Sequence, residues 1–238
     1  LMGRDWLKNL DVLWQRSVRR SPGEQQFGLK RSECCVGQTR HLFKGELGLV
    51  KGVKATLSVD KTATPRFFRA RSVPYALRDR VEAELDKLVK EGILHPVQFS
   101  DWAAPIVRLV KKDGSIRICG DYKLTANRVS FTDQYPIPRI DDLLASTAKA
   151  KIFSKLDLAN AYLQLELDED SKKYVTISTH KGLFRYNRLP FGVSSAPSLF
   201  QRTMEGIVGN IPNVLVYFDD ILVAFYHTYT HWKLFCRD

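Results

Sequence analysis

An α+β fold, with helices packed against an antiparallel sheet, is predicted by three stretches of the sequence. Apolar side chains recur at helical spacing through residues 77–89. Two β-rich runs within residues 105–119 are joined by Lys-Lys-Asp-Gly, a composition typical of a hairpin turn. A second strand pair is predicted for Leu215–Val223, because two apolar, β-favouring arms flank the adjacent carboxylates Asp219 and Asp220.

The first part of the chain predicts little regular structure beyond one helix. Residues 1–14 are expected to form a short amphipathic helix, because Trp and Leu recur there near helical spacing. Residues 15–64 are heterogeneous and indicate a linker with one short strand around Ala55–Val59. Regular patterns begin at Pro65. The next helix is predicted to start at Ser72-Val73-Pro74 and to end at Gly92.

Three cations are predicted to lie on the hairpin formed by Pro105–Val110 and Ser115–Cys119. Lys111 and Lys112 fall at its tip, and Arg117 lies on the returning strand. Cations on a mobile hairpin are suited to clamp phosphate groups. Lysines that merely protect an edge strand from aggregation explain the local pattern equally well.

The second half of the chain predicts a helix, a strand, a strand-rich stretch and a second helix. The first helix covers Arg139–Ala148. The strand covers Lys151–Leu158 and carries Asp157 at its C-terminal end. The run 163–187 alternates as strands do, around a polar segment and a turn at His180-Lys181-Gly182. A helix is then predicted for Ala196–Val208, before the strand pair that carries the two acids.

Three carboxylates are the candidate catalytic groups. The pair Asp219 and Asp220 fits either a divalent-metal site or an exposed turn without function, and the local pattern does not choose between them. Asp157 adds a carboxylate at a second strand end. If the two strands are neighbours in one antiparallel sheet, the three acids meet at one edge. That arrangement suits two-metal phosphoryl transfer.

Composition indicates a polyanionic partner and no membrane span. The 238 residues contain 37 Lys and Arg against 26 Asp and Glu, a net charge of +11. Such an excess favours nucleic acid or an anionic surface, although an ordinary basic surface is the alternative. No run of about 18 apolar residues is present, so no membrane segment is predicted. The four cysteines and five histidines show no zinc spacing, and the cysteines favour a reducing, intracellular compartment.

Several motifs together resemble the reverse transcriptases of gypsy-type LTR retrotransposons. These are KLDLANAYLQLELDEDSKKYVTI, RLPFGVSSAPSLFQRTM and VYFDDILV, preceded by APIVRLVKKDGSIRICGDYKLTAN and YPIPRIDDLLA. They occur in the family's order from about residue 65 to 223. The resemblance implies the fingers and palm of a right-hand polymerase.

The resemblance also implies roles for individual residues. Asp157, Asp219 and Asp220 match the catalytic, metal-binding acids, and Leu158 matches a position whose backbone carbonyl meets a metal. The implied cofactor is a pair of Mg²⁺ ions, with Mn²⁺ as a substitute. The other matches are to residues that contact the substrates. Lys111 and Arg117 match cations that hold the dNTP triphosphate. Tyr162 matches a residue that rejects a ribose 2′-hydroxyl, and Phe191 matches a residue of the nucleotide pocket. Tyr217 and Phe218 match the primer-terminus positions of the YxDD box.

The resemblance further implies how the chain is organised. LMGRDWL, within residues 1–14, is similar to the last helix of a retropepsin-type aspartic protease, although the protease's catalytic loop is absent from the chain. Residues 15–64 are then a linker, and 65–223 are reverse transcriptase fingers and palm. Residues 224–238 depart from the family pattern and are expected to be non-family sequence. No thumb follows, so the chain alone is expected to be nearly inactive.

The predicted function is RNA-directed DNA polymerisation by two-metal nucleotidyl transfer onto a primer 3′-hydroxyl. The predicted partners are an RNA or DNA template with its primer, dNTPs and the other Pol polyprotein domains, with no membrane. The location implied is the cytoplasm, in a virus-like particle, with the nucleus as the alternative. A truncated, non-catalytic relic or a domesticated nucleic-acid-binding protein is the alternative function. A metal-dependent phosphohydrolase explains less, because it leaves the lysine hairpin and Tyr162 without a role.

Overall fold

The computed structural model describes residues 47–111, 114–131 and 135–226. Within them the chain forms two compact units. The small unit consists of 138–157 and 208–226, and the large unit of 47–137 and 158–207. The predicted helix in residues 1–14 and the predicted position of Lys112 lie outside the described residues.

The small unit is built on a three-stranded antiparallel sheet. Its strands are β5 (Ile152–Asp157), β9 (Val214–Tyr217) and β10 (Asp220–Phe225), and β10 lies in the middle. A short helix, α3 (Ile140–Ser146), precedes β5 and is tied to the end of β10 by a hydrogen bond from the Tyr226 hydroxyl to the Ser146 carbonyl (3.2 Å). Burial of alternate side chains such as Ile221 and Val223 fixes the register of β10.

The large unit contains a five-stranded mixed sheet and most of the hydrophobic core. In spatial order its strands are β2 (Leu94–Val97), β8 (Gly182–Tyr186), β7 (Thr176–Thr179), β3 (Ala104–Val110) and β4 (Ile116–Gly120). Only the β3–β7 pair is parallel among these strands. The helices of the unit are α1 (Tyr75–Lys90), α2 (Ala126–Val129), α4 (Glu169–Lys172) and α5 (Ala196–Val208, whose last residue falls in the small unit). No helix in the described ranges is long and apolar enough to cross a membrane.

The helix predicted between Pro74 and Gly92 and the hairpin predicted within residues 105–119 are confirmed within about two residues at each end. Helix α1 buries one stripe, Val81, Leu85 and Leu88, as the spacing requires. It stops because Gly92 adopts a φ of 68°, in the left-handed region that ends many helices. Strands β3 and β4 pair in register from Ile106–Gly120 to Val110–Ile116, which places Lys111 directly after β3.

The prediction of strands throughout 163–187 is partly wrong. Residues Ala161–Gln164 form a 3₁₀ helix, and Glu166–Leu167 is only a two-residue strand, β6. The polar segment after it forms the short helix α4, because the Asp168 carboxylate accepts a hydrogen bond from the Ser171 backbone N–H at 2.7 Å. That N-cap provides backbone hydrogen bonding that an alternating pattern does not reveal.

The end of the predicted linker is a packed part of the large unit. Strand β1 (Lys54–Ala55) pairs in parallel with β6, and Val59 forms an isolated bridge to Ser130. The side chains of Ala55, Leu57 and Val59 are buried. Residues 47–64, which the sequence analysis assigned to a linker, therefore belong to the large unit.

We expect Asp168→Ala to lower the free energy of unfolding by about 1 kcal/mol at neutral pH, the usual effect of removing an N-cap. Burial raises the pKa of the Asp168 carboxyl, but hydrogen bonds from Thr56 and Ser171 outweigh it and hold the pKa below its usual 3.8. A lowered carboxyl pKa stabilises the fold above the unfolded-state pKa, and this stabilisation is lost as the pH falls through the folded-state pKa. Urea unfolding as a function of pH measures the effect: the difference between variant and parent should shrink in acid. The exposed neighbour is the control, since Asp170→Ala should change stability little at either pH.

Candidate active site

The two adjacent acids occupy the tight turn between β9 and β10. Tyr217 and Asp220 are register partners, so Phe218 and Asp219 form a two-residue turn. The turn thus lies one residue earlier than the sequence suggested. Asp219 is exposed in the turn, and Asp220 is the first residue of β10.

Phe218 adopts an unusual backbone conformation in this turn. Its φ is 54°, in the left-handed region that bulky residues rarely adopt. Its ring packs edge-on against Tyr217, with the ring centroids 4.5 Å apart. A residue in such a region costs roughly 1–3 kcal/mol, and such residues cluster at functional sites.

Asp157 lies directly opposite Asp220. Strands β5 and β10 pair antiparallel, and the Cα register joins Asp157 to Asp220, then Leu156 to Ile221. Directly opposed residues in an antiparallel pair have Cα atoms roughly 4.5–5.5 Å apart. The condition set from the sequence is therefore met: the strands that carry the three acids are neighbours, and the acids lie at one sheet edge.

The carboxyl of Asp220 has a raised pKa at this edge. Burial raises the pKa of its carboxyl, and the neighbouring Asp219 and Asp157 raise it further, while Lys155 opposes them. The Lys155 ammonium lies 3.1 Å from the Asp220 carboxylate, whose side chain is only 12% exposed. The sequence analysis did not identify Lys155. Its position two residues before Asp157 on a strand places it on the same face as that acid, which was the available signal in the sequence.

The three acids suit a hard divalent cation in chemistry, but their side chains are not arranged as a complete metal site. Among the described residues, no three Asp, Glu, His or Cys side chains gather around one point. Carboxylate oxygens are nevertheless the ligands that Mg²⁺ prefers, and mutual repulsion of adjacent acids at the sheet edge is relieved by a cation. In this structure Lys155 supplies part of that positive charge to Asp220.

The residues predicted to bind the nucleotide lie together in the large unit. Lys111, Arg117 and Phe191 line one pocket. The Arg117 guanidinium lies 4.7 Å from the centroid of the Phe191 ring, within the range of a cation–π contact. Tyr162 packs against Phe191 with a centroid separation of 5.1 Å, and against Phe200 at 5.5 Å. The structure thus joins four residues from three separate motifs.

A glycine positions Phe191 beside β4. Gly192 has a φ of 99°, and a Cβ there would lie 2.8 Å from the backbone carbonyl oxygen of Gly120. Only glycine tolerates both the backbone conformation and the close approach. Asn127 fixes the same turn, because its side-chain amide donates to the Gly192 carbonyl (2.8 Å) and accepts from the Ser194 N–H (2.9 Å).

Asn160 is a further residue of this pocket that the sequence analysis did not identify. It lines the pocket and has a φ of 49°. Asparagine is one of the few residues that adopts the left-handed region readily, so an Asn soon after a strand end was the available signal. The metal contact predicted for the Leu158 carbonyl, and the primer contacts predicted for Tyr217 and Phe218, remain predictions.

Comparison with known proteins gives the same picture. The model of the family described as "Reverse transcriptase (RNA-dependent DNA polymerase)" matches residues 109–235, more than half of the chain. This match includes most of residues 224–238, the segment predicted to be non-family sequence. The first two residues of that segment, Ala224 and Phe225, are buried in β10. Residues 227–238 lie outside the described part of the chain.

Two curated relatives illustrate the similarity. An uncharacterized protein of Caenorhabditis elegans, K02A2.6, is 40% identical over 195 residues, which cover 81% of this chain and 15% of the relative. The retrovirus-related Pol polyprotein from transposon opus of Drosophila melanogaster is 34% identical over 209 residues, which cover 83% of this chain and 20% of the relative. The chain therefore spans about a fifth or less of the length of these relatives.

Solved structures confirm the predicted α+β fold. A foamy viral protease-reverse transcriptase solved in complex with double-stranded DNA matches 96% of this chain and 40% of its own, with a TM-score of 0.78 at 20% identity. A prototype foamy virus protease-reverse transcriptase mutant gives the same TM-score at 21% identity. By its sequence match over more than half its length, the chain belongs to the reverse transcriptase (RNA-dependent DNA polymerase) family.

Proposed function

We propose that the chain carries out RNA-directed DNA polymerisation, adding deoxynucleotides to the 3′-hydroxyl of a primer. The observation that carries the proposal is the register pair Asp157–Asp220 beside the strained Phe218–Asp219 turn. Three carboxylates at one sheet edge are a donor set suited to two-metal phosphoryl transfer.

The acids would act by holding two divalent cations, Mg²⁺ or, as a substitute, Mn²⁺. When bound, these ions would supply Lewis-acid stabilisation of the attacking 3′-hydroxyl and of the pyrophosphate leaving group. Asp157, Asp219 and Asp220 would hold these ions, together with the Leu158 carbonyl. The Lys155 ammonium lies 3.1 Å from the Asp220 carboxylate and supplies positive charge beside it.

The pocket lined by Lys111, Arg117 and Phe191 selects and holds the incoming nucleotide. Lys111 and Arg117 provide positive charge for the triphosphate, and the stacking of Arg117 on Phe191 fixes the guanidinium at the pocket wall. Tyr162 is held by its ring contacts with Phe191 and Phe200, so its position is well defined. A rigid ring placed in this way excludes a ribose 2′-hydroxyl and makes the product DNA.

The remaining partners are proposed from the likeness to Pol polyproteins. We propose a primed RNA or DNA template and dNTPs as substrates, and other Pol polyprotein domains as partners in a longer parent chain. Residues 1–14 are proposed to be the end of a retropepsin-type protease. The proposed location is a cytoplasmic virus-like particle, with the nucleus as the alternative.

Primer extension on a homopolymer template tests the function. The full 238-residue chain is incubated with primed polyriboadenylate, labelled dTTP and Mg²⁺ or Mn²⁺. We expect weak incorporation that is lost on chelation of the metal and in Asp219→Asn. Incorporation that persists unchanged in Asp219→Asn would contradict the site. Salt-sensitive binding of the primed template without any incorporation would show a binding protein in place of a polymerase.

A further inference from the structure

A second pocket lies in the large unit, apart from the nucleotide pocket. It is formed by the loop residues 61–65, the loop residues 99–102, the 3₁₀ helix Lys173–Val175 and strand β8. The two pockets have no lining residue in common. We call it the Phe99 pocket, and the residues that matter in it are Lys61, Phe99, Asp101, Trp102, Lys173 and Arg185.

The Phe99 pocket carries an excess of positive charge. Lys61, Lys173 and Arg185 reach it from three different elements, and Asp101 is the acid that lines it. Within the described residues, none of these three cations has a carboxylate oxygen within 4 Å. The Lys173 ammonium lies 5.1 Å from the centroid of the Tyr174 ring, and the Arg185 Nε donates to the Thr176 hydroxyl at 3.5 Å, so both keep their full charge. Cations without a carboxylate partner that line one cavity attract an anion with several charges more strongly than one with a single charge.

The pocket also exposes an aromatic ring at its edge. Phe99 is 75% exposed, a large apolar surface left in water. The wall behind it is rigid, because Trp102 and Tyr174 pack edge to face with centroids 5.3 Å apart. The loop is fixed as well, since the Ser100 hydroxyl donates to the Trp102 carbonyl at 2.8 Å. The ring therefore projects from a fixed support.

We infer that the Phe99 pocket binds single-stranded nucleic acid, with a base stacked on Phe99 and backbone phosphates beside Lys61, Lys173 and Arg185. Exposed aromatic rings interleaved with cations are the combination that single-strand-binding surfaces use. A free nucleotide offers the same pairing of base and phosphate. The strand is favoured because the cations come from three separate elements, which suits successive phosphates better than a single one.

Fluorescence anisotropy with an oligothymidylate of about 12 nucleotides, a length within the usual site size of such surfaces, tests the inference. The assay is run in EDTA, without dNTPs, so its outcome does not depend on polymerase activity. For the double variant Lys61→Gln with Lys173→Gln, we expect the slope of log affinity against log salt to fall by roughly 1.4, about 0.7 for each lost phosphate contact. For Phe99→Ala we expect binding to weaken about tenfold, as for the loss of one stacked base.

Matched variants elsewhere in the large unit serve as controls. Lys51→Gln with Lys90→Gln removes two exposed lysines, and Phe131→Ala removes a ring that is 61% exposed, none of which lines the pocket. These variants should bind with nearly the parental salt slope and affinity. All the replaced side chains are exposed, so thermal unfolding should confirm that each variant remains folded.

Two results would overturn the inference. The first is parental affinity and salt slope in the Phe99-pocket variants. The second is thymidine monophosphate that competes as well as the oligothymidylate at equal nucleotide concentration, since this would assign the pocket to a free nucleotide. Loss of polymerisation in Asp219→Asn with unchanged oligothymidylate binding would leave the inference intact, so the two proposals can fail separately.

Discussion

Asp157→Asn is expected to reduce nucleotide incorporation at least about a thousandfold, or to the detection limit of a weakly active chain. The reason is that Asp157 faces Asp220 in register across β5 and β10, so one acid of the opposed pair loses its charge. Metal ions supply several kcal/mol of charge stabilisation in phosphoryl transfer, and each ~1.4 kcal/mol is worth about tenfold in rate. Radiolabelled dTTP incorporation at saturating primed template measures the loss.

The control for this prediction is an acid of the same unit that lies away from the sheet edge. Asp142 is exposed in the first turn of α3, and Asp142→Asn removes the same charge. It should retain at least about half of the parental rate, as surface substitutions usually change little. If Asp142→Asn and Asp157→Asn lose activity equally, net charge and not position explains the effect, and the assignment of Asp157 is wrong.

The main elements of this fold were predictable because their patterns are local. Helix α5 has the predicted bounds, Ala196–Val208, since a continuous apolar stripe needs no information from the rest of the chain. Strand β5 likewise ends at Asp157 as expected. Helix α5 buries one face, with Leu199, Phe200 and Met204 among its buried residues, so sequence spacing alone reports it.

Features that depend on contacts distant in sequence were not predictable. The composition of residues 47–59 predicted a linker with one short strand around Ala55–Val59, but not its partner: Ala55 is buried because β1 pairs with β6, more than a hundred residues later. The turn at Phe218 and Asp219 was displaced by one residue for a related reason. An aromatic residue is a poor choice for positive φ by local propensity, and pairing of Asp220 with both Asp157 and Tyr217 overrides it.

The candidate site divides in the same way. The acids and the nucleotide-pocket residues were found from strand ends and from family motifs, because carboxylates, cations and aromatic rings indicate their chemistry by residue type. Lys155 and Asn160 were missed because their roles arise from position: an ion pair across two strands and a left-handed backbone at the pocket. Sequence spacing shows that Lys155 shares a face with Asp157, but not that Asp220 lies on the adjacent strand.

The second large effect is expected in sugar selection. Tyr162→Ala should lower the preference for dCTP over CTP, measured as the ratio of their kcat/KM values, by about tenfold to a hundredfold. This is the usual range for a pocket that discriminates by fit against one extra hydroxyl. The ring of Tyr162 is held between Phe191 and Phe200 and cannot be replaced by a neighbouring side chain without repacking both. Its removal leaves space for the 2′-hydroxyl.

Tyr162→Phe separates this steric role from a role of the phenol hydroxyl. The variant keeps the ring and its contacts, so the preference for dCTP should stay within about twofold of the parent, in line with the small effect of a substitution that conserves volume. Loss of ring contacts in Tyr162→Ala also costs stability, roughly 0.5–1.5 kcal/mol for each aromatic pair, so both variants are compared well below their unfolding temperatures. If Tyr162→Phe loses the preference as fully as Tyr162→Ala, the hydroxyl and not the ring selects the sugar. If neither variant changes the ratio, Tyr162 belongs to the packing of the pocket, and another residue excludes ribonucleotides.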